Sequence, residues 1–291
     1  MGIIKKRQLS EIVLGVFLLS HPGPVLFHIV GVTMFTLLAA WPKLVWSTIA
    51  LIIAAHSVMQ LSIAFLNDYC DRNLDAMSNR NKPIVRGLVR PYEALVLGLI
   101  MIVLMFVLLV PLNLLALLIS ISYLILFQGY NLGLKSTPLS GVVFALGMPL
   151  IPLYAFAGIG RMPFFLLWLV PIGFLLGIAL NVSNSIPDIE EDEVNGAKTL
   201  AVVLGLKRSF FTCDLLIALT AVLIGVLTIF QVVPAQPWII LLILTTTCLI
   251  LAGMLLFFSP KKSMQTRKLY FYLVVLTCFV LAGGWFIGVL L

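Results

Sequence analysis

The chain has 291 residues, 62% of them hydrophobic and 10% charged, with a mean hydropathy of +1.18. Soluble domains carry charge on about a quarter of their residues, so a water-soluble globular fold is excluded and lipid is the solvent for most of this surface. The net charge of +7 does not point to nucleic acid, because the basic residues are dispersed over several loops with no soluble reading domain; membrane topology and anionic headgroups account for it.

In chain order, Lys5, Lys6 and Arg7 lead into an apolar stretch over residues 8–20 that reads as a short interfacial helix. No small-residue cleavage site follows, so the N-terminus is expected to be retained. Apolar runs then cover residues 22–41, 45–67, 93–110, 112–129, 139–159, 163–184, 210–232, 237–259 and 269–291. Each is long enough to cross a hydrocarbon core of about 30 Å. Backbone groups in lipid must be satisfied within their own segment, and the alternation of a barrel is missing. The fold class expected is therefore all-α: a polytopic membrane helix bundle of nine transmembrane helices, forming one integral-membrane domain over residues 1–291.

Lys and Arg are retained on the cytoplasmic side of a membrane. With the N-terminus cytoplasmic, sixteen of the eighteen Lys and Arg residues fall on that face, and only Lys43 and Arg161 on the other. All eleven acidic residues lie at the same ends, which places the chemistry there. Cys70, Cys213, Cys248 and Cys278 form no Cys-x-x-Cys pair and are read as neither disulfides nor a zinc site. His56, in mid-span, reads as an interhelical hydrogen-bond partner, while His21 and His28, flanking Pro22 and Pro24, read as packing residues. Asp214 is expected to pair with a cation. Pro149, Pro152 and Pro171 are expected to break or kink their helices, and Gly147, Gly173 and Gly177 to allow close helix contact.

Two stretches carry the chemistry. Asn67, Asp71 and Asp75 close the second span, and Asn184, Asp188 and Asp192 close the sixth, both as Asn-x-x-x-Asp-x-x-x-Asp. The matched spacing suggests two related four-helix units followed by a ninth helix. On a helix these positions share a face, so each motif projects an amide and two carboxylates along one stripe. Clustered carboxylates repel one another unless a cation intervenes, and hard oxygen donors beside phosphate suit magnesium. Arg72, Lys82, Arg86, Lys135 and Lys198 lie in loops on the same face, where they could neutralise phosphate oxygens.

These residues resemble the UbiA superfamily of intramembrane prenyltransferases. The family pattern Asn-Asp-x-x-Asp-x-x-x-Asp matches Asn67, Asp68, Asp71 and Asp75, and Asn81-Lys82-Pro83 followed by Gly87 resembles its continuation with Lys in place of Arg. The second family motif matches Asp188, Asp192, Gly196, Thr199 and Leu200, and Tyr130 with Lys135 resembles the family's Tyr…Lys element. The resemblance implies two Mg2+ ions bridging the aspartates to the diphosphate of a polyprenyl donor, with Asp71, Asp75, Asp188 and Asp192 catalytic. It also implies that Asn67, Asp68, Asn184, Arg72, Lys82, Lys135, Lys198 and Tyr130 form the donor site. Phe65, Tyr69, Tyr123, Phe127 and Tyr130 are candidates to face the allylic cation, although bundle packing explains each as well.

The function expected is transfer of a prenyl group from a prenyl diphosphate to a small aromatic or lipid acceptor at the cytoplasmic face of a cell inner membrane or organelle equivalent. The leading acceptor class is a quinone or pigment precursor resembling 4-hydroxybenzoate or homogentisate. The alternatives are geranylgeranylglyceryl phosphate and a terpene cyclase that needs no acceptor. Outside this class stands a cation transporter, whose carboxylates would lie in broken helices at mid-membrane and not at helix ends.

Overall fold

The computed structural model describes residues 7–77, 81–258 and 263–291. Lys5, Lys6, Arg80, Lys261 and Lys262, which enter the charge argument, lie outside the described residues. Among the described residues, nine helices are long and apolar enough to cross a membrane. The chain is all-helical, and its contacts divide it into two compact units.

The first unit comprises residues up to Leu132 together with Ile151–Met162. It contains α1 (Leu9–Leu19), α2 (Pro22–Ala40), α3 (Trp46–Met77), α4 (Pro91–Leu109) and α5 (Leu114–Asn131). It also takes the C-terminal part of α6 (Ser140–Ile159). The long α3 is its axis and packs against α2, α4 and α5. One side of α4, including Val96, Leu99, Ile100, Val103 and Val107, is exposed; no polar residue interrupts it, as expected where lipid is the neighbour. The short apolar α1 folds over the turn that follows α3. Leu19 packs with Phe65, Val89 and Ala94, and the Arg7 guanidinium donates to the Leu88 carbonyl (2.9 Å) and to Glu93 Oε2 (2.8 Å). The turn reverses at Gly87, whose φ of +72° is a left-handed conformation that favours glycine.

The second unit comprises Gly133–Leu150 and Pro163–Leu291. Beyond the start of α6 it contains α7 (Leu166–Ser185), α8 (Ile189–Val194), α9 (Leu200–Leu204), α10 (Leu206–Ile229), α11 (Pro237–Phe257), α12 (Met264–Cys278) and α13 (Gly284–Leu290). The last two are joined by a π turn over Phe279–Gly283 into one span. α7 packs against α10 and α12. It also meets α6 at Gly177, where an added Cβ would come within 2.5 Å of the Phe144 carbonyl oxygen, so the backbone contact there requires glycine. The expected prolines do not end their helices: α6 continues through Pro149 and Pro152, and α7 through Pro171.

Two spans run further than hydropathy places them. The second continues ten residues past 67, to Met77, and the sixth extends as a chain of helical segments to Val194. In both cases the extension is the acidic motif itself, which hydropathy reads as loop and the backbone keeps helical.

Candidate active site

Asn67, Asp71 and Asp75 lie on α3 in uninterrupted α-helix, so successive members sit about 6 Å apart along one face. Asp68, a third of a turn round from Asn67, and Asp75 are each 1% exposed. A buried carboxylate is costly unless it meets charge or hydrogen-bond donors. Asp68 meets both: Lys82 Nζ donates to its Oδ1 at 2.8 Å, and His21 Nε2 lies 2.8 Å from the same oxygen. Its Oδ2 is buried without a partner among the described residues.

The amide of Asn67 is oriented by a relay. The Ile63 carbonyl can only accept, so it takes the Nδ2 of Asn131 (2.9 Å). That turns Asn131 Oδ1 toward Asn67, which donates its own Nδ2 to it (2.9 Å). The Asn67 carbonyl oxygen is thereby left facing away from the α3–α5 contact, as a hard ligand for a cation. Below Asn131 on α5, Tyr130, Phe127 and Tyr123 form an aromatic ladder, with ring centroids 6.5 Å and 4.4 Å apart.

The basic residues of this unit do not all reach toward one point. Lys82 is committed to Asp68. Arg72 curls back onto α3, donating to the Tyr69 carbonyl (2.6 Å) with its guanidinium 4.3 Å from the Tyr69 ring centre. His21, expected as packing, is instead a partner of the acidic motif. It is aimed by the elbow between α1 and α2, where its own φ is +47°, a tertiary feature with little local signal beyond the neighbouring prolines.

The second motif departs from a single stripe. α7 ends at Ser185, Ile186–Asp188 form a tighter 3-10 turn, and α8 begins at Ile189. Pro187 sits in that turn and has no N–H to bond the carbonyl four residues back, so the α-helical ladder breaks there. Asn184 and Asp188 are exposed, and Asp192 is half-buried on α8. The buried amide of this unit is Asn181, 1% exposed, whose Oδ1 accepts from Ser140 Oγ at 3.0 Å. α8 is held by Arg267 of α12, which makes paired bonds of 2.6 and 2.8 Å to Glu190.

Two sequence-predicted lysines are brought together in this unit. The backbone N–H of Lys198 donates to the Ser136 carbonyl at 2.9 Å, tying the loop of Lys198 to the short turn that carries Lys135. Thr199 then caps α9 through its side chain, which accepts from Val202 N–H (3.2 Å). Among the described residues, Asp214 takes its hydrogen bond from the Tyr270 hydroxyl at 2.8 Å and pairs with no cation; the ring of Tyr270 packs against Phe210.

The donor set fits magnesium in kind: oxygen atoms of carboxylates and an amide. Among the described residues, no three His, Cys, Asp or Glu side chains converge closely enough to hold a metal by themselves. That agrees with how magnesium is usually held, by one or two carboxylates together with substrate phosphate and water.

The UbiA prenyltransferase family matches residues 25–289 of the chain. The 4-hydroxybenzoate octaprenyltransferase of Janthinobacterium sp. (strain Marseille) is 29% identical over 167 residues, 55% of this chain and 57% of that protein. The digeranylgeranylglyceryl phosphate synthase of Pyrococcus abyssi (strain GE5 / Orsay) is 32% identical over 165 residues, 56% of each. The chain thus matches little more than half the length of either relative. A solved structure described as digeranylgeranylglyceryl phosphate synthase in membranes superposes with a TM-score of 0.73 at 16% identity, covering 96% of this chain and 99% of that one. A UbiA homolog from Archaeoglobus fulgidus bound to GPP and Mg2+ superposes with a TM-score of 0.66 at 17% identity, covering 94% and 99%. At such identities the structures show a shared fold.

Proposed function

The chain belongs to the UbiA prenyltransferase family, and on that premise we propose that it transfers a prenyl group from a prenyl diphosphate to a small acceptor in a Mg2+-dependent reaction at the cytoplasmic face. The observation that carries this reading is the unbroken α3 stripe, with the Asn67 amide turned by Asn131 so that its oxygen joins Asp71 and Asp75 as a donor. Asn67, Asp71, Asp75, Asp188 and Asp192 would hold Mg2+, two ions in all. When bound, the metal neutralises the diphosphate and so makes it a competent leaving group.

The chain's own residues do the rest. Lys135 and Lys198, on loops tied together, supply positive charge for diphosphate oxygens as the carbon–oxygen bond breaks. Lys82 acts through Asp68, fixing the end of α3, and Arg72 shields the same end. Tyr130 and Phe127 offer ring faces to the allylic cation and exclude water from it. The acceptor is an aromatic quinone or pigment precursor, in line with the 4-hydroxybenzoate relative. The glyceryl-phosphate lipid is the second reading, favoured by the Pyrococcus relative.

Purified protein given labelled geranylgeranyl diphosphate and Mg2+ tests this, with 4-hydroxybenzoate, homogentisate and geranylgeranylglyceryl phosphate in separate arms. A prenylated product that disappears on chelation is expected. Cyclic hydrocarbon formed without any acceptor would make the chain a cyclase, and no donor consumption under any condition would overturn the proposal.

A further inference from the structure

We propose that His21, held by Asp68, is the proton acceptor for the acceptor substrate. The inference rests on the transfer reaction proposed above. In that reaction a bond forms between C1 of the prenyl chain and a carbon or oxygen of the acceptor, and the C1–O bond breaks with its electron pair leaving on the diphosphate. One proton is released from the acceptor, and it needs a base.

Carboxylates that hold metal have their lone pairs engaged, and among the other groups the histidines are the side chains best suited to take up a proton near neutral pH. The chain has three. His28 and His56 lie together inside the first unit, ring centroids 6.1 Å apart, among Tyr123 and Tyr154. His21 is at the elbow that meets the acidic end of α3. Its Nε2 is 2.8 Å from Asp68 Oδ1, and an ionised carboxylate only accepts, so Nε2 carries the hydrogen and Nδ1 presents a lone pair.

This is the arrangement in which a buried carboxylate fixes the tautomer and ring orientation of a general base and then stabilises the imidazolium. Asp68 is well placed to do so, because it is 1% exposed and its Oδ1 is also pinned by Lys82. Lys82 lies 3.4 Å from His21 Nε2, farther than from the carboxylate, so its proton is directed to Asp68. Among the described residues, the charged groups bound to the ring are therefore Asp68 from α3 and Lys82 from the turn after it. Glu11 of α1 is bound to the Gln8 N–H at the opposite end of that helix, and Arg72 is turned onto Tyr69. Asp68 and Asp71 are neighbours at i and i+3 on α3, so His21 meets that helix about one turn from the carboxylate proposed to hold the donor. Its side chain is 25% exposed, so the proton can pass on to water.

The test uses the full chain with Mg2+, geranylgeranyl diphosphate and either 4-hydroxybenzoate or geranylgeranylglyceryl phosphate. In His21→Ala and His21→Gln, transfer is expected to fall about 10²–10⁴-fold with the donor KM unchanged. Added imidazole should restore part of the activity of His21→Ala. Retention of the wild-type rate in either variant overturns the proposal. So does loss of Mg2+-dependent donor binding in step with transfer and without imidazole rescue, since the ring would then only brace Asp68. A wild type that consumes donor with none of 4-hydroxybenzoate, homogentisate and geranylgeranylglyceryl phosphate overturns the transferase reading as well, and the two failures are thereby told apart.

Discussion

In the first unit Asn67, Asp71 and Asp75 ride on one helix that runs unbroken to Met77, whereas in the second Asn184, Asp188 and Asp192 are divided among a helix end, a 3-10 turn and a short new helix. The spacing in sequence is the same. The first motif is braced from within the bundle, through Asn131 for its amide and through His21 and Lys82 for Asp68. The second is braced from outside its own helix, by the Arg267–Glu190 pair on α8. One set of proposed ligands is thus built on an unbroken helix and the other on a jointed segment. Under the proposed function, a jointed set could adjust as a charged donor enters, while the unbroken set would define where the donor sits.

The sharpest way to break that comparison is to neutralise one carboxylate from each motif. Asp71→Asn and Asp188→Asn should each lower Mg2+-dependent transfer by about a thousandfold or more, the scale on which loss of a preorganised charge-stabilising group acts. Product formation at saturating donor and Mg2+ checks this. If Asp188→Asn keeps substantial turnover while Asp71→Asn does not, the second motif is not a metal site and its likeness to the first is one of spacing alone.

The buried amides give the next largest contrast. Asn131→Leu removes the group that orients Asn67, and loss of an outer partner of a metal ligand typically costs about 10–100-fold in metal affinity. Asn181→Leu removes the acceptor of the Ser140 hydroxyl and leaves Asp188 and Asp192 untouched. Both should lower stability by about 1–3 kcal/mol, as a buried group loses its partner. Only Asn131→Leu should shift the Mg2+ dependence of activity. Thermal unfolding in detergent beside a Mg2+ titration of turnover separates the two effects, and equal Mg2+ shifts would deny Asn131 its special position.

The nine spans were legible because a stretch long enough to cross lipid has to be apolar along its whole length. The ends were not. Asp68, Asp71 and Asp75 read as loop by hydropathy, yet they lie within α3, which runs unbroken to Met77. Lys82 was read as a phosphate ligand from its loop and its family context, and it lies on Asp68 because a carboxylate buried that deeply requires a cation nearby. His21 and Asn131 carry no local pattern at all; the first is aimed by a left-handed backbone at an elbow, the second by a carbonyl on another helix. Pro187 was visible in the sequence, but its consequence was missed when Asn184 was placed on a continuous stripe.

Pro187 therefore offers the gentlest test of what the joint is for. Pro187→Ala restores an N–H that can donate to the carbonyl of Ser183, so the α-helical ladder of α7 can continue toward α8. Within a helix the proline penalty is about 3 kcal/mol, but the 3-10 turn already relieves much of it, and the alanine chain has more freedom to lose on folding. A net gain in stability of about 1 kcal/mol is expected on that balance. Activity should move the other way. A continuous helix rotates Asp192 relative to Asp188 from the tighter turn's register to that of a regular helix, and transfer should slow several-fold with little change in donor KM. The unfolding temperature and kcat measured on the same preparation decide the matter. Stability and turnover rising together would mean that the break is a tolerated defect, and that the rigid stripe of the first unit alone sets the geometry of the donor.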